Sequence, residues 1–445
     1  MGKTKIIVLD DDPTGSQTVH GCLLLTRWDV ATLKEALADH APIFFILTNT
    51  RGMDAARAAA VTREACRNLK AALDDQNIQP VLVSRSDSTL RGHYPVETDV
   101  IAAELGPFDA HFLVPAFFEG GRFTRGSVHY LRSDGKEVPV HETEFARDSV
   151  FGYRHSYLPD YVEEKTKGRI KAAAVVRFQL DDIRHGVYER LLALHDNACA
   201  VVDAENQNDL DRFAADLLKA VGQGKRFLFR SAASLLTSFA QLPPQPVNPE
   251  HMAQYVRAGQ AGAVIVGSHV PKTTSQLTEL LKHPGAVALE VDVNRLPSQH
   301  DALLNEIRAQ ADAAHRAGKT PVIYTSRSER VFSDQTARLA FGEQVSAFLM
   351  DVVRGLPTTI GFLISKGGIT SNDVLSTGLA LRASRLLGQI LPGVSVVRCP
   401  HDHPRYPDMP VVIFPGNVGD ERALATVFER LHPATTATRA DSTGA

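Results

Sequence analysis

Long apolar runs are missing from this 445-residue chain. None approaches the roughly 18 residues that span a bilayer, so no membrane partner is expected. A charge excess of one sign is missing too: 48 Lys and Arg stand against 51 Asp and Glu, for a net charge of −3. Nucleic-acid binders show a basic face, whereas the dense basic stretches here, such as Lys165–Arg169, are short and solvated. No nucleic-acid partner is expected. Cysteine is scarce. Cys22, Cys66, Cys199 and Cys399 lie far apart and form no CxxC pair, which argues against a structural zinc site and a disulfide framework. The N-terminus runs from Met-Gly-Lys-Thr-Lys directly into an apolar strand pattern, without signal-peptide architecture. A cytoplasmic protein is expected. Neither the GxxxxGK[ST] loop nor GxGxxG occurs, so a bound nucleotide would need another scheme.

What is present is a folded composition, with 44% hydrophobic and 22% charged residues. Single cores stop growing at about 250–300 residues, so two domains are expected. Short β-branched runs alternate with helical patterns, the signature of parallel sheets with crossover helices. The expected fold class is therefore α/β, two domains, each a mainly parallel sheet flanked by helices. In the first half the strands are expected at Ile6–Asp10, Ile43–Thr48, Val81–Arg85, Phe112–Pro115, Ala173–Arg177, Ala200–Asp203 and Phe227–Arg230. Helices are expected at Ala55–Leu73 and Asn208–Val221. The second series is Ala263–Gly267, Val287–Val291, Val322–Thr325, Ile360–Ser365, Val394–Arg398 and Val411–Phe414. Prolines in Gln241–Pro249 break every regular pattern. The boundaries read as 1–240 for the first domain, 241–258 for a linker, 259–432 for the second domain and 433–445 for a disordered tail lacking large apolar residues.

Ligands of open α/β sheets bind beyond the carboxyl ends of the strands, so chemistry is sought there. The first strand ends in Asp10-Asp11-Asp12-Pro13-Thr14-Gly15. Three adjacent carboxylates repel one another unless a cation or hydroxylated ligand shares the charge; otherwise they form a solvated turn with a helix cap. The second strand ends in Thr48-Asn49-Thr50-Arg51-Gly52. The third, Arg85-Ser86-Asp87-Ser88-Thr89-Leu90-Arg91-Gly92, offers two guanidiniums, a carboxylate and several hydroxyls. Arginine grips carboxylates bidentately, and Asp with hydroxyls orients polyols. A small hydroxylated anion satisfies all of them; the bland alternative is an exposed turn with a local ion pair. Phe117-Phe118-Glu119-Gly120-Gly121-Arg122 is either a rim of the same pocket or a loop.

In the second half the strand ends carry Gly, Ser and Thr. They are Gly267-Ser268, Lys366-Gly367-Gly368-Ile369-Thr370 and Pro415-Gly416-Asn417. Thr370 with Asp373 fits an N-cap box. Glycines at a helix start let phosphate approach free N–H groups, so three such loops point to nucleotide phosphate.

Asp87-Ser88-Thr89-Leu90-Arg91-Gly92, supported by Asp11-Asp12-Pro13-Thr14-Gly15, resembles the four-carbon acid sugar kinase family, and the resemblance runs from Asp10 to about Asp420. It implies an N-terminal sugar-acid domain, a C-terminal nucleotide domain and an active site in the cleft between them. It implies ATP with Mg²⁺ as cofactors, a small sugar acid as substrate, and a homodimer that no periodicity in the sequence encodes. Carried over, the substrate residues are Asp11, Asp12, Arg51, Arg85, Ser86, Asp87, Ser88 and Arg91, with Asp12 or Asp11 taking the hydroxyl proton. The nucleotide residues are Ser268, Gly367, Gly368, Ile369, Thr370 and Gly416. The chain departs from the family's Gly-Gly-Asp-Thr at Ile369, which removes a carboxylate suited to Mg²⁺. It departs also at Asp10-Asp11-Asp12-Pro13 and Pro415-Gly416-Asn417. Substrates implied are threonate, erythronate, or a 3-oxo acid such as 3-oxo-tetronate or 3-oxo-isoapionate, phosphorylated at a terminal hydroxyl.

Two other functions fit parts of the sequence. Asp10 and Asp12 before Thr14 match the Asp-x-Asp-x-Thr of haloacid-dehalogenase-type phosphatases, with Asp10 as nucleophile; no lysine followed by a paired-acid strand end supports this. A sugar-acid sensor would share the pocket without turnover. His401-Asp402-His403 lies in a Pro-rich loop without further ligands nearby, and no protein metal site is expected.

Overall fold

The computed structural model describes residues 3–74, 76–133, 135–327 and 335–432. The expected tail, 433–445, lies outside the described residues. The chain divides into two compact units, residues 1–244 with 382–388, and residues 245–381 with 389–445.

In the first unit the strands are β1 (Lys3–Asp10), β2 (Leu23–Leu25), β3 (Ile43–Leu47), β4 (Ile78–Arg85), β5 (Ala110–Val114), β6 (Arg122–Arg125), β7 (Val128–Ser133), β8 (Lys136–Pro139), β9 (Val176–Phe178), β10 (Ala198–Val202) and β11 (Phe227–Ser231). They form a parallel sheet in the order β2-β3-β1-β4-β11-β5-β10-β9 and a separate antiparallel sheet β6-β7-β8. Continuous apolar runs explain the parallel sheet. Ile6–Leu9 and all of β3 are buried, because helices cover both faces. One face packs Ile7, Leu9, Phe44 and Ile46 against Leu33, Cys66 and Leu69 of the helices Val30–Ala38 and Ala55–Leu73. After β1 the chain runs to one side of the sheet, through β2 and β3, and then crosses to β4 on the other. The carboxyl ends of β1 and β4 thus form the switch point where such sheets open a crevice.

The second unit contains β12 (Ala263–Val266), β13 (Ala286–Val291), β14 (Thr320–Thr325), β15 (Leu363–Lys366), β16 (Ala383–Leu391), β17 (Val394–Arg398) and β18 (Pro410–Phe414). Their order is β13-β14-β12-β15-β18-β17, parallel except for β17. Here the switch point lies at the ends of β12 and β15. The first part of β16 belongs to the first unit, where Ala383, Ser384 and Arg385 pair antiparallel with Leu25, Leu24 and Leu23. Arg385 pins this addition through a bidentate pair with Asp39 at 2.6 and 3.2 Å.

The sequence reading missed β2, β16 and the β6–β8 sheet. β2 has only three residues, and β6–β8 carry too many exposed polar side chains to read as core strands. Ala173–Arg177 is a short 3₁₀ turn followed by β9, which starts at Val176. Among the described residues no helix is long and apolar enough to cross a membrane, and all four cysteines are unpaired and buried.

Candidate functional site

In the first unit, register builds the polar cluster. Asp10 pairs with Arg85 across β1 and β4, so the last side chains of two buried strands meet, and Arg85 Nη1 lies 3.2 Å from Asp10 Oδ1. Asp10 is fully buried and its Oδ2 has no hydrogen-bond partner. Burial pushes its carboxyl up to about 7, against the pull of Arg85. Gly15 closes over this pair: a Cβ there would stand 2.2 Å from Asp10 Oδ2 and 2.5 Å from Arg85 Nη1, so no side chain fits.

The next two carboxylates turn toward Arg51. Asn49, in the left-handed region at φ 52, follows β3 and leads into the 3₁₀ turn Thr50–Gly52 that delivers this arginine. Its Nη2 and Nε donate to the two oxygens of Asp11 and its Nη1 donates to Asp12 at 3.2 Å. Asp11 is buried and also accepts from Ser86 Oγ at 2.7 Å. Asp12 accepts from Thr14 N and Oγ1, at 2.8 and 2.5 Å, and its side chain keeps 21% exposure against 1% for Asp11. Burial opposes ionisation of Asp12, but Arg51, Arg85 and the Thr14 hydrogen bonds outweigh it and hold its carboxyl below the usual range.

Farther along, Asp87 accepts from Arg91 Nε at 2.8 Å and from the Thr89 hydroxyl. Against its burial, Arg51 and Arg91 hold the Asp87 carboxyl well below the usual range. Ser88 is buried, with its carbonyl oxygen 2.7 Å from His129 Nε2.

Of the expected substrate residues, Asp11, Asp12, Arg51, Arg85 and Ser86 meet Asp10 in one network at the ends of β1, β3 and β4, while Asp87 and Arg91 bond each other in the segment that follows β4. The local ion pair that the sequence offered as the alternative is present, as Arg91 with Asp87, and Arg91 also stands 3.8 Å from Asp148; the pairing of Arg51 with Asp11 and Asp12 and of Arg85 with Asp10 was not foreseen.

Two further groups were missed. Arg230, at the end of β11, donates to Ser84 Oγ, Ser86 Oγ and Glu97 Oε2 at 2.7, 2.7 and 2.6 Å. Glu97 accepts in turn from Thr50. The strand-end rule could have found Arg230; nothing local marks Glu97, which starts a helix turn inside the core. Arg122, which closes the Phe117–Arg122 segment that the sequence offers as a rim or a loop, donates through Nη1 to Gly120 O at 2.6 Å, leaves Nε unpartnered and makes no ion pair among the described residues. It and Arg91 both approach the Phe145 ring, at 6.0 and 4.9 Å.

In the second unit a cavity of about 430 Å³ opens at the ends of β12 and β15, a volume ordinary for small-molecule sites. Ser268, Gly367, Gly368, Ile369, Thr370 and Gly416 all line it, with an apolar wall from Phe341, Leu349 and Met350. Glycine is required where the loops meet. A Cβ on Gly267 would lie 2.4 Å from Thr370 Oγ1, and Gly367 sits at φ 116. Thr370 is not the expected N-cap. Gly367, which has no side chain to cap with, precedes the short helix Gly368–Asp373; Thr370 lies inside that helix, and Asp373 accepts from the Ser346 hydroxyl.

No Asp or Glu lines this cavity among the described residues, and Ile369 is 71% exposed at its lip. No group of three His, Cys, Asp or Glu suited to a metal ion occurs among the described residues. The protein groups of this cavity therefore do not fit a carboxylate-held Mg²⁺. His401 and His403 do not converge: His401 bonds Asp408 at 2.5 Å and His403 bonds Leu379 O at 2.9 Å.

Comparison with known proteins adds to this geometry. Residues 6–239 match a family profile described as a sugar-binding N-terminal domain, and residues 263–424 one described as a nucleotide-binding C-terminal domain. The chain is 33% identical over 167 residues to a D-threonate kinase of Bordetella bronchiseptica, covering 36% of this chain and 39% of that protein. It is 27% identical over 222 residues to a D-erythronate kinase of Heliobacterium modesticaldum, covering 47% of each. The matched stretches thus span less than half the length of these curated relatives. Among solved structures, a Salmonella typhimurium LT2 protein described as a putative tRNA synthase superposes with a TM-score of 0.67 at 20% identity, over 96% of this chain and 98% of that one. A Haemophilus influenzae protein from a domain-of-unknown-function family gives 0.64 at 17%, over 96% and 100%. At such identities the likeness is one of fold.

Proposed function

The chain belongs to the four-carbon acid sugar kinase family, and on that premise we propose that it transfers the γ-phosphoryl group of ATP to a terminal hydroxyl of a small sugar acid. The observation that carries this reading is the acid–guanidinium crevice at the ends of β1, β3 and β4, whose polar groups suit a hydroxylated anion. The family's nucleotide domain supplies the second half of the reaction, with ATP phosphates against the glycine loops that line the 430 Å³ cavity.

Phosphoryl transfer needs alignment and charge neutralisation more than covalent help. Asp12 is the group we assign as proton acceptor, since it is ionised and keeps some exposure, whereas Asp11 is buried under Arg51 and Ser86. Arg51 and Arg85 hold the aspartate turn in shape. Arg91 and Arg122, stacked about Phe145, receive the substrate carboxylate, because Arg122 has donors to spare. Ser88 and Asp87 orient hydroxyls. Mg²⁺ would offset phosphate charge, and no carboxylate among the described lining residues of the cavity would hold it. Transfer requires the two ligands to meet, and closure that expels water would limit ATP hydrolysis. Threonate and erythronate, the acids named for the curated relatives, are the substrates we put forward first, with their 3-oxo relatives beside them. The four unpaired, buried cysteines accord with a reducing cytoplasmic setting.

The phosphatase reading meets an obstacle at Asp10. A nucleophile must be ionised and reachable, yet this carboxyl is fully buried, covered by Gly15, and pushed up to about 7. A panel of sugar acids incubated with MgATP, followed by ADP formation, tests the proposal. Acid-dependent ADP formation that Asp12→Asn removes is expected. Acid-independent hydrolysis, or full activity in Asp12→Asn, would reject the assignment.

A further inference from the structure

One basic side chain of the second unit takes no part in the mechanism above. Lys366 ends β15 and is fully buried. Lysine is almost never fully buried without a partner, and a buried ammonium is costly when no carboxylate pairs with it. Here Nζ donates instead to two carbonyls, Pro415 O at 2.5 Å and Gly416 O at 3.2 Å. It also stands 4.1 Å from the centre of the Phe414 ring, its register neighbour on β18. Lys366 is therefore a tie between the end of β15 and the loop after β18. The residues around it, Gly367, Gly368 and Gly416, all line the cavity, and no acid among the described lining residues offsets its charge.

We propose that Lys366 is the buried cation of the nucleotide-phosphate site, a positioning residue that fixes the Pro415–Gly416 loop and draws phosphate charge toward the glycine loops. This rests on the nucleotide reading of the second unit. A charge in a poorly hydrated interior acts over several ångströms with far less screening than in water. The tie and the charge are separable, because a neutral amine retains two N–H groups and can still reach both carbonyls.

Burial, with Lys272 adding repulsion, lowers the Lys366 pKa to about 7. The charge is present below that pH and lost as pH rises through it, so nucleotide affinity should weaken across the neutral range. Of the other basic or titratable groups, His269 and Arg338 line the cavity, Arg327 donates to Ser268 O at 2.7 Å, and Lys272 on the helix Pro271–Leu280 acts on Lys366 by charge alone. An arginine at 366 stays charged throughout, so it removes only the contribution of Lys366.

The experiment is calorimetric titration of the full chain with ADP between about pH 6 and pH 8, for the wild type, Lys366→Arg and Lys366→Met. The titration of ADP itself is common to all three. The wild type should lose about tenfold more affinity over this range than Lys366→Arg, the equivalent of one pKa unit of coupling. Lys366→Met should bind at least about tenfold more weakly than the wild type near pH 6 and lack that extra slope. If the wild type binds ADP but all three proteins share one slope, the inference is wrong and the nucleotide reading stands. If Lys366→Met does not fold, the wild type against Lys366→Arg decides alone. Failure of the wild type to bind ADP would overturn the nucleotide reading, and the inference with it.

Discussion

Asp10, Asp11 and Asp12 are adjacent in sequence, yet the fold gives them three different environments. Asp10 faces Arg85 in the core, Asp11 is clasped by Arg51 and Ser86, and Asp12 pairs with Arg51 while keeping part of its side chain exposed. Asp12→Asn should lower kcat by about 10²–10⁴-fold, the usual contribution of a general base, with unfolding temperature little changed; kinetics and a thermal melt check both. Asp10 is a stability group in this account. Its folded pKa of about 7 exceeds the ordinary carboxylate value of about 3.9. The folded state therefore holds a proton that the unfolded chain releases, and the group's contribution to stability falls as pH rises from about 4 to about 7, then levels off. Denaturant melts across that range should show a decline that Asp10→Asn removes. Arg122→Ala should raise KM for the acid by about tenfold or more with ATP binding unchanged, as expected for a lost charged hydrogen bond. The acid and arginine residue types were legible from the strand-end rule. Their mutual pairing was not, because which arginine meets which acid depends on register and loop path.

At the scale of elements, long buried strands were legible because their hydrophobicity is continuous. Ala55–Leu73 was expected as a helix and is one, capped by Asp54. The strand β16 was not foreseen. Arg385 and Gln389 interrupt its apolar run, and its first six residues serve the first unit, through a pairing with Leu23–Leu25 more than 350 positions away that no local pattern encodes. The end of β15 shows another limit. Thr370 and Asp373 have the spacing of a capping box, but a bond from Ser346 on a distant helix claims Asp373. The Arg230–Glu97 pair joins β11 to the helix Val96–Leu105 at 2.6 Å inside the core. Glu97→Gln should cost about 3–5 kcal/mol, the penalty for stranding one member of a buried pair. Chemical denaturation measures it, and a loss under about 1 kcal/mol would make the pair incidental.

At the scale of the whole molecule, two α/β units each place a polar strand-end site at a switch point of a parallel sheet. One is rich in acids and arginines; the other is lined by glycine, serine and threonine and has no acid among its described lining residues. Such a division suits a reaction in which one ligand is a hydroxylated anion and the other a polyphosphate. The most direct measurement follows the label from ATP carrying a marked γ-phosphate, in the presence of threonate, erythronate or their 3-oxo relatives. The account predicts that the label appears as a phosphate ester of an acid, in step with ADP. Label recovered only as inorganic phosphate with every acid, or ATP left intact while a generic phosphate ester is hydrolysed, would contradict it.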